Sequence, residues 1–520
     1  MTAPRSDWPV SLSSHAKVVL TAHLTLVEKM MINSWKFGMS LLVLLSVAAS
    51  ACSVNPVSKM PEVTLVTVEQ EKKIGEEEAK KVEQEMGLLD DTALNSYADA
   101  LGQRLAKESP RQDVPYQFHV VDMIEPNAFA LPGGYVYVSR GLLALANTED
   151  ELAGVIGHEI GHVAARHTVQ RISRQGPFAL ITNLVSGVTG FFVPVVGNIV
   201  GGVGNFAQSI VFSPYSRSQE SQADEVGQEM AAKAGWDPVG LANFLTTLGR
   251  EETLLSDGPR KPSFFDSHPA TPDRVKKTTK HAKDLKQASR EPISPSHDAF
   301  LARLDGLVVG QRAANGVVKG QAYRHPDLNF FLQLPESWNV DNTPIQLAAA
   351  PKDGDRAVVL SSVAEGNDPM EGARALEKAA KSPLPSKPQP TTINGLPAAR
   401  TQLGDSKLTI DLTWIAHGGK IYQIAGIAQT KNFENVRPVF QSVAQSFRPL
   451  SPEERSAIRE KKIRLVKAQK GETLEALLAR SPSAWKASQV AVANGLTGTE
   501  PLSEGQVIKI TVEEPYVGKK

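Results

Sequence analysis

Only one cysteine, Cys52, occurs in the chain, so an intrachain disulfide framework is excluded. There is no excess of either charge. Lys+Arg 56 is matched by Asp+Glu 56, which removes the basic footprint of a protein that mainly binds nucleic acid. Internal repeats and low-complexity tracts are missing too, which excludes fibrous and repeat architectures. What is present, 22% charged and 41% hydrophobic residues over 520 positions, is a globular composition. At about 150 residues per domain it makes roughly three folded units.

The uncharged run 37–51 is too short to cross a bilayer, which takes about 20 residues, but it suits a secretory apolar region of about 7–15 with small residues before a cut. It ends at Ala49-Ser50-Ala51-Cys52, which resembles the bacterial lipoprotein box with Ala49 in place of the usual Leu. The resemblance implies a signal peptide over 1–51, a lipid on Cys52 that tethers the chain to a membrane, and a periplasmic location. Ser53, not Asp, after the cysteine favours the outer membrane over the inner. Met30 and Met31 offer later starts, and an ordinary signal peptide with an incidental cysteine is the alternative.

From Val66 to Ser109 the spacing Leu94, Tyr97, Leu101, Leu105 predicts two amphipathic helices. The β-rich runs 116–121 and 135–138 bracket Asn127-Ala128-Phe129-Ala130 and the turn 132–134, and suggest a small antiparallel sheet. Thr148 with Glu151 forms a capping box that opens a helix expected to reach about Arg171. The stretch from Gln175 to Ser216, which carries no charge at all, reads as a helical hairpin or loop beside the core, or as a hydrophobic lid or membrane-touching segment. Residues 291–317 read as a linker, and 318–450 as an α+β domain with strands at 329–334, 357–360, 408–414 and 421–424 and helices at 370–381 and 436–446. Leu334-Pro-Glu-Ser-Trp338 with the later Trp414 makes that domain similar to PsbP/Mog-like domains. Residues 460–515 read strand, helices, strand. Gly471-Glu-Thr-Leu474 and Leu502-Ser-Glu-Gly-Gln506-Val-Ile-Lys-Ile510 make them resemble a LysM module, which implies peptidoglycan binding through 463–512 or a copy that has lost it.

Chemistry concentrates in Gly157-His158-Glu159-Ile160-Gly161-His162, an H-E-x-x-H motif. At 100° per residue, i and i+4 lie about 40° apart, so His158 and His162 can hold one ion while Glu159 stands beside it as a proton acceptor. Two imidazoles plus a carboxylate favour Zn2+. A third ligand six residues beyond His162 fails, because Thr168 stands there. His167 is turned about 140° away and is read as structural. Ser216-Arg217-x-x-Glu220-x-x-Ala223-Asp224 is the better candidate, one carboxylate ligating while the other, Asp224, supports a ligand imidazole, with the small Ala223 allowing close helix approach.

Together with His162-Val-Ala-Ala-Arg166-His167 and Asn127–Ala130, these elements resemble bacterial periplasmic zinc endopeptidases of the BepA and LoiP type, relatives of HtpX. The resemblance covers roughly 65–280. It implies a mostly helical, zincin-type (gluzincin-like) peptidase domain over 52–290 in an α+β multidomain chain, with one Zn2+ on His158, His162 and Glu220. It further implies Glu159 as general base and acid, Asp224 in support, Asn127, Ala128, Phe129 and Ala130 lining the cleft, and His268 of Ser267-His268-Pro269 above the metal, as a cap or an oxyanion partner. Expected partners are unfolded envelope proteins and not nucleic acid. A peptidoglycan-binding scaffold or chaperone, and a cell-wall hydrolase, are the competing readings. A tetratricopeptide tail of the BepA kind is not recognisable.

Overall fold

A computed structural model of the protein describes residues 52–64, 66–174, 213–255, 264–269 and 272–518. The expected signal peptide at 1–51 and nearly all of the stretch 175–216 lie outside the described residues. Among the described residues no helix is long and apolar enough to cross a membrane. Residues 52–55 and 59–66 belong to one unit, in which β1 (Cys52–Val54) pairs antiparallel with β2 (Pro61–Val63). Everything from Thr67 onward forms a second unit.

That unit opens with α1 (Val68–Glu85) and α2 (Thr92–Ala106). Thr67 and Gln70 cap α1 reciprocally, and Asp91 accepts the N–H of Leu94 at the start of α2. The spaced residues Leu94, Tyr97, Leu101 and Leu105 are all buried. The sheet that follows is mixed, which corrects the antiparallel expectation. The strands β3 (Gln117–Val121), β4 (Ala128–Leu131) and β5 (Tyr135–Ser139) lie in the order β3-β5-β4. A turn through Gly133 (φ 80°) and Gly134 (φ 98°) folds β4 back on β5. Because β4 runs against both and sits at the edge, β3 and β5 come to lie parallel.

Helix α3 (Arg140–Leu145) leads to α4 (Glu149–Ala164). Thr148 caps α4 by accepting the N–H of Glu151, but the Glu151 carboxylate accepts the N–H of Asn147, so the box is not reciprocal. The helix also stops short of Arg171. Arg166 takes a left-handed φ of 56°, and a new helix, α5 (His167–Arg174), begins at once. After the next described residues come α6 (Arg217–Ala234), α7 (Gly240–Leu255), the short α8 (Phe264–Ser267) and α9 (Pro272–Asp284).

Glycines let α4 and α6 touch backbone to backbone. A Cβ at Gly161 would lie 2.9 Å from the carbonyl oxygen of Ala223, one at Gly157 2.9 Å from that of Gly227, and one at Gly227 2.6 Å from the amide nitrogen of His158. No larger side chain fits there, so the crossing point is fixed where residues 158–162 face 220–224.

Residues 291–317 are not a linker. Helix α10 (His297–Leu304), capped by Ser296, buries Phe300, Leu301 and Leu304 in the same core as α4. Strand β6 (Val308–Val309) extends a later sheet. The buried Arg140 pairs with Asp122 and donates to the carbonyls of Val308 and Gly310 at 2.8 and 2.6 Å. The apolar spacing of α10 outweighs Pro292 and Pro295, which in the sequence read as a boundary.

Next come β7 (Val317–Lys319), β8 (Ala322–His325) and β9 (Phe330–Gln333) as a three-stranded sheet. A seven-stranded antiparallel sheet follows: β10 (Asn339–Asn342), β11 (Gln346–Ala350), β12 (Arg356–Glu365), β13 (Gln389–Ile393), β14 (Leu396–Gly404), β15 (Leu408–His417) and β16 (Lys420–Gln429), in the order β10-β11-β12-β16-β15-β14-β13. Helix α11 (Met370–Ala380) packs on Trp414, and α12 (Phe433–Gln445) seats Phe440 against Gly426, each in a separate apolar cluster. The chain ends with β17 (Arg459–Lys467), α13 (Leu474–Arg480), α14 (Ala487–Ala493) and β18 (Val507–Pro515), the two strands antiparallel and β6 at the free edge of β17. Ile463, Ala493 and Val507 are buried in the core that holds Leu152 and Phe244, so this end is joined to the first helices.

Lys509 of β18 is fully buried, its Nζ 3.0 and 2.7 Å from the carbonyls of Ala144 and Ala146. Burial pushes its pKa down to about 7, against the opposing charge of Glu151. A neutral amine still offers one N–H to each carbonyl. Unfolded lysine keeps its proton up to about pH 10.4, so above the depressed folded value the unfolded state binds more protons and stability rises with pH. The urea midpoint is expected to climb between about pH 8 and about pH 9.5, and Lys509→Met to flatten the climb. A wild-type midpoint that falls over that interval contradicts the assignment.

Candidate metal centre

The α4–α6 crossing sets four donors face to face. One ligand atom each from His158, His162, Glu220 and His268 lie within 4.8 Å of one another, all buried. The Nε2 atoms of His158 and His162 are 3.0 Å apart, and His158 Nε2 is 3.1 Å from Nδ1 of His268. Glu220 Oε1 stands 3.3 Å from His162 Nε2 and 3.1 Å from His268 Nδ1, and Oε2 stands 3.7 Å from His158 Nε2. Ring nitrogens this close point lone pairs at one another unless a proton or a cation lies among them. Two to three imidazoles, one carboxylate and no thiolate form a donor set that fits zinc.

The back of each of the two helix imidazoles is held. His158 Nδ1 lies 2.8 Å from Asp224 Oδ1. His162 Nδ1 lies 2.9 Å from Nδ1 of His167, whose Nε2 is 2.9 Å from Gln222 Oε1. His167 therefore does not face away. The break at Arg166 swings it back onto His162, which an unbroken helix would not do. Tyr215 stacks on the His162 ring at 3.9 Å, with its hydroxyl 2.8 Å from Thr168 Oγ1, and Phe264 stacks on His268 at 4.2 Å.

Arg274, which the sequence reading passed over, closes the far side. Its Nη1 is 2.7 Å from Glu220 Oε2, while Nε and Nη2 reach Asp224 at 2.8 Å each. Six residues after His268 and at the start of a helix, it is a lone inward arginine on an otherwise lysine-rich segment. A cavity of about 320 Å3 borders it, lined among others by Arg217, Lys277 and His281.

Charges differ sharply across the site. Burial pushes Glu220 up, but the charges of His268 and Arg274 and hydrogen bonds from His162 and His268 hold it well below the usual carboxylate range. Burial likewise pushes Asp224 up, and Arg274 and His158 bring it below. Burial keeps the His162 ring well below its ordinary range, the state a ligand requires. Glu159 goes the other way: burial raises it more than His268 and His158 lower it. Neither Glu159 oxygen has a hydrogen-bond partner among the described residues, and His268 Nε2 stands 3.4 Å from Oε1. A buried carboxylate with no hydrogen bond among the described residues, next to a donor cluster, is free to take a proton.

Asn127 is fully buried and neither side-chain polar atom has a partner among the described residues. Ala128, Phe129 and Ala130 lie on β4, the edge strand, and the carbonyl just before them, that of Pro126, accepts the N–H of Phe264 at 3.2 Å. The strand is thereby tied to the segment that carries His268.

The model of Peptidase family M48 matches residues 92–282, a span that holds His158, Glu159, His162, Glu220, His268 and Arg274. A beta-barrel assembly-enhancing protease of Yersinia pestis is 27% identical over 245 residues, 46% of this chain and 49% of that protein. The metalloprotease LoiP of Escherichia coli is 32% identical over 183 residues, 35% of this chain and 66% of that protein. The chain spans about half the length of the first of these relatives. With the metalloprotease YcaL of Escherichia coli it shares 31% identity over 186 residues, 35% of its own length but 69% of YcaL, and on that coverage the chain belongs to peptidase family M48.

Proposed function

We propose that the chain is a zinc-dependent endopeptidase of the bacterial cell envelope that acts on misfolded or stalled outer-membrane and periplasmic proteins. The observation that carries this reading is the meeting of His158, His162 and Glu220 beside Glu159, whose oxygens have no hydrogen bond among the described residues. His158, His162 and Glu220 would hold the ion, which when bound supplies Lewis acidity and an acidified water. Glu159 accepts the proton of the attacking water at its carboxylate and passes it to the leaving amine. Asp224 and Arg274 keep His158 and Glu220 oriented. Strand β4, at a sheet edge among the described residues, would pair with extended substrate backbone, with Asn127 at its start.

The envelope setting rests on the leader and the lipid at Cys52, with the outer membrane favoured. The strand–helix–helix–strand order of 459–515 supports a LysM-like unit that contacts peptidoglycan, and the seven-stranded sheet with a helix on each face supports a PsbP/Mog-like domain. Purified zinc-loaded protein offered casein, a misfolded porin and purified sacculi tests the reading. Cleavage of the two proteins is the expected result. Consumption of sacculi alone makes the chain a wall hydrolase, and no turnover of any makes it a scaffold.

His268 touches three members of the site, so His268→Ala is expected to shift basal casein turnover by about tenfold or more, upward if the ring caps the ion and downward if it steadies the oxyanion. Unchanged turnover would show that the ring takes no part.

A further inference from the structure

We infer that His167 is the positioning residue of His162 and that Glu71, on the first helix, holds it in place. This rests on the reading of His158, His162 and Glu220 as metal ligands. A ligand nitrogen carries no proton, so a His162 that binds through Nε2 carries its proton on Nδ1. That proton points at His167 Nδ1, 2.9 Å away, which must be the acceptor. The His167 proton is then on Nε2 and is donated to Gln222 Oε1 at 2.9 Å. The relay runs in one direction, from His162 through His167 to Gln222. His158 is oriented by a carboxylate and His162 by a neutral imidazole, so the two ligand rings differ in basicity.

His167 is delivered by the broken helix. Five residues along a continuous helix it would point about 140° from His162. Arg166, with φ 56°, makes the turn that brings it back, a conformation that a residue with a Cβ avoids unless held. The hold is Glu71. Its Oε2 accepts from Arg166 Nε at 3.0 Å, while Arg111 donates to Oε1 at 2.7 Å and to Oε2 at 3.0 Å. Arg111 also reaches the carbonyl of Val163 in the last turn of α4, at 3.3 Å. Glu71, Arg111 and Arg166 are all buried. Charges from three segments therefore pin the elbow that follows the two ligand histidines.

The test compares full-length protein with His162→Ala, His167→Met, His167→Gln and Glu71→Gln. It reads zinc affinity by chelator competition and the visible absorption of the cobalt-substituted protein, with circular-dichroism melting to confirm folding. His162→Ala is expected to lose the tight site. His167→Met, of similar size but with no hydrogen-bond acceptor of that strength, is expected to weaken zinc about 10–100-fold and to change the cobalt band. His167→Gln, whose amide oxygen can accept from His162, is expected to recover most of the affinity, and Glu71→Gln to weaken it in the same sense as Met. If His162→Ala loses the metal while folded His167→Met and Glu71→Gln keep wild-type affinity and spectrum, the inference is overturned and the ligand set stands. If His162→Ala binds zinc as wild type does, the ligand reading fails and this inference fails with it.

Discussion

Glu159→Gln is expected to lower peptide hydrolysis by about two to four orders of magnitude while the protein still takes up one zinc per chain. The amide matches the carboxylate in shape and cannot accept a proton. Neither Glu159 oxygen is engaged in a hydrogen bond among the described residues, so the exchange breaks none and gives up only the 3.4 Å approach of His268 Nε2 to Oε1. Burial already makes the ionised form costly, as its raised pKa shows, and the variant should melt no lower than wild type. Casein turnover, metal content and melting temperature, measured on one preparation, separate these effects. Turnover within tenfold of wild type would remove Glu159 from its role.

The second large effect is on stability. Arg274→Met replaces a buried guanidinium by an apolar chain and leaves the carboxylates of Glu220 and Asp224, each now 2.7–2.8 Å from it, without their cation. Breaking a buried pair in this way costs about 3–5 kcal/mol. Urea unfolding in the presence of a chelator is expected to show that loss. Added zinc should restore part of it, because the ion neutralises Glu220. Adding Asp224→Asn to Arg274→Met should also recover part of it, by removing one of the stranded charges. An unchanged urea midpoint in chelator would mean that the arginine is dispensable to the fold.

What was legible in the sequence was local. His158 and His162, and Glu220 and Asp224, share faces because helical periodicity alone sets i and i+4 together, and the structure brings all four into contact. His167 was misread because its direction depends on a left-handed residue held by Glu71, far away in the chain. Arg274 was missed because nothing near it distinguishes an inward arginine from the lysines around it. The parallel β3–β5 pair was out of reach for a similar reason, since it depends on which side of β5 the chain returns to. Strands β10 and β13, Asn339–Asn342 and Gln389–Ile393, are polar and short, so no alternation announced them. Helix α10 was different. Phe300, Leu301 and Leu304 did carry a helical spacing, and the neighbouring prolines obscured it.

The route of the chain through the first core has a consequence for how the molecule comes into being. The surface on the early helices that α10 and the final segment cover is not fully dried until Val507 has been made and delivered, since Ile463, Ala493 and Val507 join Phe300, Leu301 and Leu304 in that core. Such distant pairings close slowly. A newly made chain therefore keeps sticky apolar surface on show until its end is complete, and the final segment matters to the first helices as much as to itself.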